Sequence, residues 1–464
     1  MSRMLQVKAI PNIWIAGNGH RLDCNPYISG AIEAREQLKR HHTERLDSLT
    51  YGYKGGIFNG PRFARQYVNS IEHGIPFLGS TDILDTDFTH LLLISKKQVA
   101  LSPELVIEKG WTLITCSGTI GRTVYSRTDM CGMAGSQHFM RVVPNIEKIK
   151  AGFLYSFLSC RYGVPMIVSG THGAIIQHIE PRDLANLPVP RLGAVEQQVH
   201  DMVQRAADLR VEASRILKKA ATDLELEIGG GMLTAWKYRH VQSFAVGTSI
   251  ISNPFKRLDA FHYIGYVDEA IAKAVVPLVE VGEYAKSLRP PIMKRNRVTK
   301  SGYEFLNVSE LASLEQRSNT KISIQSPDID KFIVHSGYVL FQCVGQRYGL
   351  FGRPVLTNRA IIGKAVTEAV MRLIPNDPRD AGYISVYLAT EFGQRLVMRH
   401  SAGTSIPVLQ EDGAERILVY WPDANKRHSI SKVAEQAWEN RALATELEDQ
   451  ARNLVERAIE DGWK

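Results

Sequence analysis

The chain has 464 residues, of which 44% are hydrophobic and 22% are charged, so intrinsic disorder is excluded for most of it. At roughly 100–200 residues per domain, this length predicts two to four domains. The 56 lysines and arginines exceed the 48 acidic residues, and the net charge of +8 permits a polyanionic partner without requiring one. No apolar run reaches the ~20 residues that span a bilayer, and the N-terminus lacks a signal-peptide core. The five cysteines show no metal-binding spacing. We therefore expect a cytoplasmic protein without a membrane segment.

Short motifs recur in the same order in the two halves of the chain. The first is R-L-D-x-x-x-Y-I, at residues 21–28 and again at residues 257–264. Further pairs, in chain order, are 73–78 with 301–306, 110–116 with 337–343, 143–145 with 374–376, and 169–171 with 402–404. Because the order is kept at a spacing of about 230 residues, the sequence predicts two copies of one unit.

Each copy has the same predicted order of elements. Its front is rich in short strands, with β-branched and aromatic runs broken by glycine. A helical stretch follows, at residues 151–161 in the first copy and 381–398 in the second. The tail of each copy is a long helix, at residues 195–228 and 429–459, with an apolar stripe at helical spacing.

The apolar stripe of each long helix has no adjacent partner within its own copy. A stripe of that length must be buried somewhere. We expect the two long helices to pack on each other as an antiparallel coiled-coil pair. The alternative is that each helix lies on its own globular domain.

The segment that closes the globular part of the first copy carries the most specific motif. Residues 184–192 read L-x-x-L-P-V-P-x-L, and Glu196 and Gln197 follow them. With the G-W-T-L-I and S-G-T-I-G-R segments at residues 110–122 and the strand-like segment 73–83, this motif resembles the specificity (S) subunit of type I restriction–modification systems. The resemblance covers roughly residues 16–462. The second copy departs from the family pattern at residues 418–422, which replace the proline junction, and at residues 345–348, which replace the Ser-Gly-Thr loop.

The resemblance implies an α+β fold of two tandem target recognition domains. Each would combine a mixed β-sheet with helices and be followed by a long spacer helix, and the two helices would form the antiparallel pair with pseudo-two-fold symmetry. The domains would be 1–194, the first recognition domain; 195–230, the first spacer helix; 231–426, the second recognition domain; and 427–462, the second spacer helix.

The resemblance also implies a non-catalytic DNA-binding subunit that works with partners. It would direct an N6-adenine methyltransferase, and in some systems a restriction nuclease, to a bipartite asymmetric DNA site. The partners would be double-stranded DNA, two methyltransferase (M) subunits and restriction/motor (R) subunits. The chain itself would hold no cofactor and no metal, because S-adenosylmethionine would be bound by the methyltransferase.

Catalytic motifs are absent from the sequence, which favours a binding protein. The adenine methyltransferase signature (D/N)-P-P-(Y/F) does not occur, and the only Pro-Pro pair, at residues 290–291, follows Arg289. There is also no E-x-K nuclease core, no phosphate-binding G-x-x-x-x-G-K-(S/T) and no H-E-x-x-H. Two alternatives stay open: a defence-complex scaffold that binds protein rather than DNA, and a nuclease with an unfamiliar motif.

The candidate DNA-binding residues lie in two kinds of segment that occur in both copies. DNA recognition needs cations for phosphate groups and forked or amide side chains for base edges. One kind is a basic segment before the repeated G-I-P-F-L-type strand, and the other is the loop after the strand at residues 112–115 or 339–342. The predicted residues are Lys54, Arg62, Arg65, Ser117, Thr119, Arg122, Arg127 and His172 in the first copy, and Arg289, Lys294, Arg295, Arg297, Lys300, Gln342, Gln346, Arg347, Tyr348 and Arg353 in the second.

The two copies differ in these residues, so the sequence predicts unlike half-sites. Gln137 and His138 are polar residues among apolar ones. We interpret them as buried hydrogen-bonding residues rather than as residues that read bases.

Overall fold

The structure is a computed structural model that describes residues 7–17, 20–171, 178–229, 245–248, 257, 259–347, 349–403 and 405–462. The chain divides into two compact units. The first consists of Met1–Leu84, Leu91–Val211 and Leu443–Lys464, and the second of Asp85–His90 and Glu212–Ala442.

The first unit contains three sheets. Its strands are β1 Thr43–Arg45, β2 Ile57–Asn59, β3 Tyr67–Val68, β4 Gly74–Leu78, β5 Leu93–Ser95, β6 Thr112–Thr115, β7 Thr123–Tyr125, β8 Ala134–Gly135, β9 Phe139–Val142 and β10 Pro188–Pro190. The order β2-β9-β6-β7 gives an antiparallel sheet, and the order β3-β5-β4-β8 ends in the parallel pair β4–β8. The L-P-V-P junction forms β10, which pairs antiparallel with β1.

The second unit repeats the three sheets in the same order. Its strands are β11 Leu278–Glu280, β12 Ala285–Leu288, β13 Arg297–Val298, β14 Tyr303–Leu306, β15 Lys321–Ile322, β16 Val339–Gln342, β17 Pro354–Leu356, β18 Ala365–Val366, β19 Val370–Pro375 and β20 Leu418–Tyr420. The sheets are β12-β19-β16-β17, β13-β15-β14-β18 and β11-β20. The predicted repeat is therefore confirmed. The altered junction of the second copy still forms the strand β20, which pairs with β11 as β10 pairs with β1.

The helices complete an α+β fold, as the sequence predicted. They are α1 Asn12–Gly17, α2 Asn25–Ile28, α3 Ala31–Leu38, α4 Leu46–Leu49, α5 Lys96–Ala100, α6 Ala151–Ser159, α7 Gly163–Ser169, α8 Pro181–Ala185, α9 Ala194–Gly229, α10 Gly265–Lys273, α11 Val308–Leu311, α12 Ala381–Ala389, α13 Glu391–His400, α14 Glu411–Glu415 and α15 Ala424–Asp461. Single 3-10 turns lie at Asp82–Leu84, Pro103–Leu105, Thr128–Met130, Ala260–Tyr263, Val281–Glu283, Ile329–Lys331 and Pro378–Asp380. Among the described helices, none has the length and apolar character to cross a membrane.

The two long tail helices, α9 and α15, form where the apolar periodicity predicted them. The helical stretch predicted over residues 381–398 consists of two helices, because the chain breaks at Thr390 into α12 and α13. Thr390 has an extended backbone, and its hydroxyl accepts a hydrogen bond from the backbone N–H of Gly393. That contact makes Thr390 the N-cap of a new helix.

Both long helices contribute to the core of each unit. In the first unit, Val199 and Val203 of α9 belong to one buried apolar cluster with Val455 and Ile459 of α15 and with Phe157 of α6. In the second unit, the main cluster includes Leu224 and Ile228 of α9 and Trp438 of α15. Burial of apolar surface at about 25 cal/mol per Å² makes these clusters the main source of each unit's stability.

The arginine of each repeated R-L-D motif fastens its segment to the end of a helix in the same unit. Arg21 donates hydrogen bonds to the carbonyls of Ser169 and Thr171 at the end of α7, and Asp23 holds its guanidinium. These carbonyls lie where a helix leaves its last acceptors without internal donors. In the second unit, Arg257 and Asp259 make the same arrangement at the end of α13.

A fully buried arginine joins two sheets within each unit. Arg141 on β9 donates to the carbonyls of Leu105, Gly135, Ser136 and Phe139. Since Gly135 lies on β8, the guanidinium connects the antiparallel sheet to the sheet that contains β8. Burial lowers the pKa of Arg141 to about 10, so it stays protonated at neutral pH.

Arg372 on β19 is the counterpart of Arg141 in the second unit. It is fully buried and donates to four carbonyls, those of Phe332, Val366, Thr367 and Val370. Burial lowers its pKa to about 10 as well. The same connection between two sheets therefore occurs inside each unit.

Candidate nucleic-acid interface

One arginine from each predicted basic segment lies at the same place in its unit. In the first unit, Arg65 lies over the ring of Phe77 on β4, 5.0 Å from the ring centroid. In the second unit, Arg295 lies over Phe305 on β14 at 5.1 Å. Both arginines are exposed residues. A cation over an aromatic face is held electrostatically, which positions each guanidinium before any ligand arrives.

A polar side chain from the connection between two strands contacts each of these arginines. Arg65 Nη2 lies 3.4 Å from Gln137 Oε1, and Gln137 belongs to the β8–β9 connection. Arg295 Nη2 lies 3.0 Å from Glu368 Oε1, and Glu368 belongs to the β18–β19 connection. Gln137 and Glu368 are both half-buried. Each unit therefore presents a guanidinium beside an amide or a carboxylate.

The interpretation of Gln137 as an internal hydrogen bonder missed its contact with Arg65. The repeat in the sequence could have revealed this contact. Gln137 precedes Val143-Pro144-Asn145 at the same distance as Glu368 precedes Ile374-Pro375-Asn376. A charged residue at the matching position argues against a purely internal role, because glutamate is almost never fully buried without a partner.

In the first unit, the loop after β6 meets the same β8–β9 connection. Ser117 Oγ lies 2.8 Å from His138 Nδ1, and the backbone of Ser117 forms a β-bridge with His178. Burial is the largest cause that lowers the pKa of the His138 imidazole, and Arg65, His178 and Arg62 lower it further. His138 is therefore neutral at pH 7, with one ring nitrogen able to accept a hydrogen bond.

In the second unit, apolar residues occupy the positions of Ser117 and His178. Val344 and Val408 form the corresponding β-bridge. Polar groups come instead from Arg289, whose Nε lies 3.3 Å from the Glu368 carbonyl and whose Nη1 lies 3.0 Å from Gln410 Oε1. The two sites share their framework and differ in the side chains placed on it.

Several other residues that the sequence predicts to bind DNA are exposed. They are Lys54, Arg62, Thr119 and Arg122 in the first unit, and Lys294, Arg297, Lys300 and Gln346 in the second. Lys54 has a left-handed φ of 70° and its ammonium lies 5.9 Å from the centroid of the Tyr53 ring.

Two predicted residues point to the interior. Arg127 is only 2% exposed, and its Nε lies 3.1 Å from Asp129 Oδ1. Its prediction as a DNA-binding residue conflicts with this burial, since a side chain enclosed by its own unit cannot reach a groove. Gln342 is half-buried and donates to the Val344 carbonyl at 2.7 Å, so it supports its own loop.

The loop between β16 and β17 is longer than its counterpart between β6 and β7. Both loops close in the same way, with Gly121 donating to the Thr115 carbonyl and Gly352 donating to the Gln342 carbonyl at 2.9 Å. Between these closures the second loop holds four more residues. The extra residues surround Gln346, so the predicted strand–loop residues of the two units lie on loops of unequal length.

Arg347 and Arg353 of this longer loop make contacts within the second unit. Arg347 donates to Ser401 Oγ at 2.9 Å and lies over the Phe261 ring. Arg353 donates to the Gly349 carbonyl at 3.1 Å and forms an ion pair with Asp87 at 3.4 Å. Both are half-buried and shape the loop that carries Gln346. His172 and Tyr348, also predicted, lie outside the described residues.

The chain was compared with protein families, curated proteins and solved structures. No family model and no curated protein matches it. Among solved structures it is similar to the S subunit of a type I restriction–modification system from M. genitalium, with 12% identity, 90% of this chain and 92% of that chain covered, and a TM-score of 0.32. It is also similar to the HsdS subunit from Thermoanaerobacter tengcongensis, with 14% identity, 91% and 97% coverage and a TM-score of 0.27. A chain from a type I restriction–modification system structure has the same TM-score of 0.27, with 14% identity and 90% and 97% coverage.

Proposed function

We propose that this chain is a DNA-sequence-reading specificity subunit. It directs a partner N6-adenine methyltransferase, and in a complete system a restriction nuclease, to a bipartite asymmetric site in double-stranded DNA. The observation that carries the proposal is the pair of equivalent sites. In each, an arginine held on an aromatic ring lies beside a half-buried amide or carboxylate, with further exposed cations along the same segment.

The chemistry of these sites suits the major groove of DNA. A guanidinium donates two hydrogen bonds to guanine O6 and N7, and an amide pairs with adenine N6 and N7. Exposed Lys294, Arg297 and Lys300 lie on the same segment as Arg295 and supply positive charge that matches phosphates. Specific recognition requires cations for the DNA phosphates and forked side chains for the base edges.

The proposed domain organisation is that of two recognition domains and two spacer helices. The domains are 1–194 and 231–426, and the helices 195–230 and 427–462 pair as an antiparallel coiled coil with pseudo-two-fold symmetry. Contacts within the first unit support the pairing. Ala206 and Leu209 of α9 share a buried cluster with Ala444 of α15. Arg210 Nη2 donates to Glu448 Oε2 at 3.0 Å.

The proposed function also implies the partners. Two M subunits bind the spacer helices and hold S-adenosylmethionine, and R subunits join them where the system restricts DNA. The chain contributes recognition and no catalytic step, and it acts in the cytoplasm, where its DNA target lies.

The test is co-expression with the methyltransferase of its system, followed by single-molecule sequencing of the host DNA for N6-methyladenine. We expect one split, asymmetric motif that disappears when this chain is left out. The double variant R65A/R295A should lower methylation of that motif at least about 10-fold, because each lost base contact removes about 1–3 kcal/mol. K148A, which removes an exposed cation from the connection between β9 and α6, is the matched control and should leave methylation unchanged.

The opposite outcome is equally clear. If the host DNA carries no motif while the chain still co-purifies with the methyltransferase, the chain is a protein-binding scaffold and the proposal is wrong. Metal-dependent DNA cleavage by the purified chain alone would point instead to a nuclease.

A further inference from the structure

We infer that Gln137 and Glu368 are the residues that make the two half-sites different. This inference rests on the proposed function and adds the position at which each unit discriminates between bases. In the first unit it assigns Gln137 to a base that offers both a donor and an acceptor in the major groove. In the second unit it assigns Glu368 to a base that offers a donor.

Gln137 and Glu368 occupy equivalent positions in the backbone framework of their units. Each follows the parallel strand pair of its unit, β4–β8 or β14–β18, and precedes the strand that carries the buried arginine. The carbonyls of the residues just before them, Ser136 and Thr367, accept from Arg141 and Arg372. The backbone that carries residues 137 and 368 is therefore fixed by the interior of each unit.

Each of the two residues contacts the equivalent arginine of its unit. Arg65 and Arg295 are held over Phe77 and Phe305 at nearly equal distances. A guanidinium in a constant position can serve a contact common to both half-sites. The variable neighbour is then the part that distinguishes them.

Gln137 and Glu368 differ in their hydrogen-bonding chemistry. Gln137 is neutral, with an oxygen that accepts from Arg65 and an amide nitrogen 3.1 Å from His138 Nε2. A glutamine amide can pair with adenine through N6 and N7. An ionised Glu368 accepts hydrogen bonds and donates none. A carboxylate in the major groove accepts from cytosine N4.

The electrostatics of the second site keep Glu368 ionised. Burial alone would raise its pKa, but its own backbone N–H, the Thr367 hydroxyl and Arg295 lower it overall. The carboxylate lies 3.0 Å from Arg295 Nη2, and 18% of the Glu368 side chain is exposed. A charged acceptor is thus held at the surface, with the neighbouring guanidinium offsetting its repulsion of phosphates.

The experiment exchanges the two chemistries at constant shape. Glu368→Gln and Gln137→Glu are made in the full chain, and each variant is co-expressed with the methyltransferase for single-molecule sequencing. We expect E368Q to change one base position in one half-site and Q137E to change one position in the other. The unaltered half-site and the spacing should stay as in the unmodified chain, and preference for the original base should fall about 10- to 100-fold. The controls are Glu147→Gln and Asp330→Asn, which remove exposed carboxylates from the first and second units and should not alter the motif.

The outcomes separate this inference from the proposed function. If the unmodified chain yields no motif, the proposed function fails. If it yields a motif that both variants reproduce unchanged, the function stands and the assignment of these two residues is overturned. A variant that no longer methylates is purified with its partner and tested on duplexes with each half-site position replaced in turn. Tight binding to a replaced duplex supports the inference, and equal loss on every duplex with an unaltered unfolding midpoint overturns it.

Discussion

At the scale of single residues, the buried arginines explain how small sheets are held in a defined arrangement. Arg141 connects two sheets through four backbone carbonyls, and Arg372 does the same in the second unit. A buried charge costs several kcal/mol unless it is fully hydrogen-bonded. The carbonyls accept from both Nη atoms of each guanidinium and offset much of that cost, whereas the buried Nε atoms make no hydrogen bond.

Replacing Arg141 by methionine should be strongly destabilising. The substitution keeps much of the volume but leaves buried carbonyls without a donor, and each such group costs about 1–3 kcal/mol. We expect the free energy of unfolding to fall by at least about 3 kcal/mol in R141M, measured by chemical denaturation. R141K keeps the charge with fewer donors and should lie between R141M and the unmodified chain. A fall in R141M no larger than that in R62M, which changes an exposed arginine, would contradict the connecting role.

The sequence could not reveal these two arginines, or the burial of Arg127. An arginine is normally a surface residue, and its charge predicts exposure unless its acceptors are known. Those of Arg141 are carbonyls as far away as Leu105, which only the fold brings near. By contrast, Arg65 and Arg295 could be predicted, because each stands in a basic segment at the same place in its copy.

At the scale of elements, the contact between the two long helices in the first unit contains a buried ion pair and is not a continuous apolar seam. Arg210 of α9 and Glu448 of α15 are 4% and 3% exposed, and Arg210 also contacts Thr445. Such a pair contributes little net stability but penalises any register in which one charge loses its partner. The position of α9 against α15 within the first unit is therefore specified by charge as well as by packing.

Removing one partner of this pair should cost more than removing both. R210M and E448M each leave a buried charge without its partner, and we expect each to lower the free energy of unfolding by about 3–5 kcal/mol. The double variant R210M/E448M should recover most of that loss. Chemical denaturation of the four proteins gives the coupling energy directly. Additive losses would mean that the two charges are stabilised by other groups.

The elements also show what periodicity can and cannot predict. The long helices were predictable because an apolar stripe of that length has no other regular explanation. The break at Thr390 was not, because residues 381–398 read as helical throughout and a single hydroxyl-to-backbone bond decides where a new helix begins. Short strands such as β13 and β18 likewise depend on pairing with distant residues.

At the scale of the whole molecule, two copies of one framework carry different surfaces. Both units have the same three sheets, the same R-L-D fastening and the same buried arginine. They differ in loop length and in the polar residues beside the shared arginine. The two copies thus share one geometry, and a few loop residues give each copy a different surface.

DNA binding by the complex should depend steeply on salt, and the exposed cations of the second unit should account for part of that dependence. Each phosphate contact contributes a slope of about −0.9 to the plot of log affinity against log salt concentration. We expect the double variant K294A/R297A to reduce the slope by about 1.8, measured by fluorescence anisotropy on a duplex that carries the motif. K148A should keep the original slope. An unaltered slope in K294A/R297A would place these two side chains away from the phosphates.

The use of both long helices in each core has a consequence for how the protein is made. The core of the first unit includes Val455 and Ile459, which are synthesised after the second unit, since that unit ends at Ala442. At about 5–20 residues per second, synthesis continues for about 10–50 s between residue 211 and residue 443. During that time Val199 and Val203 lack the part of their cluster that Val455 and Ile459 supply. The unit that is first in the sequence is therefore the last to be completed, and its nascent form is the one that needs protection from aggregation.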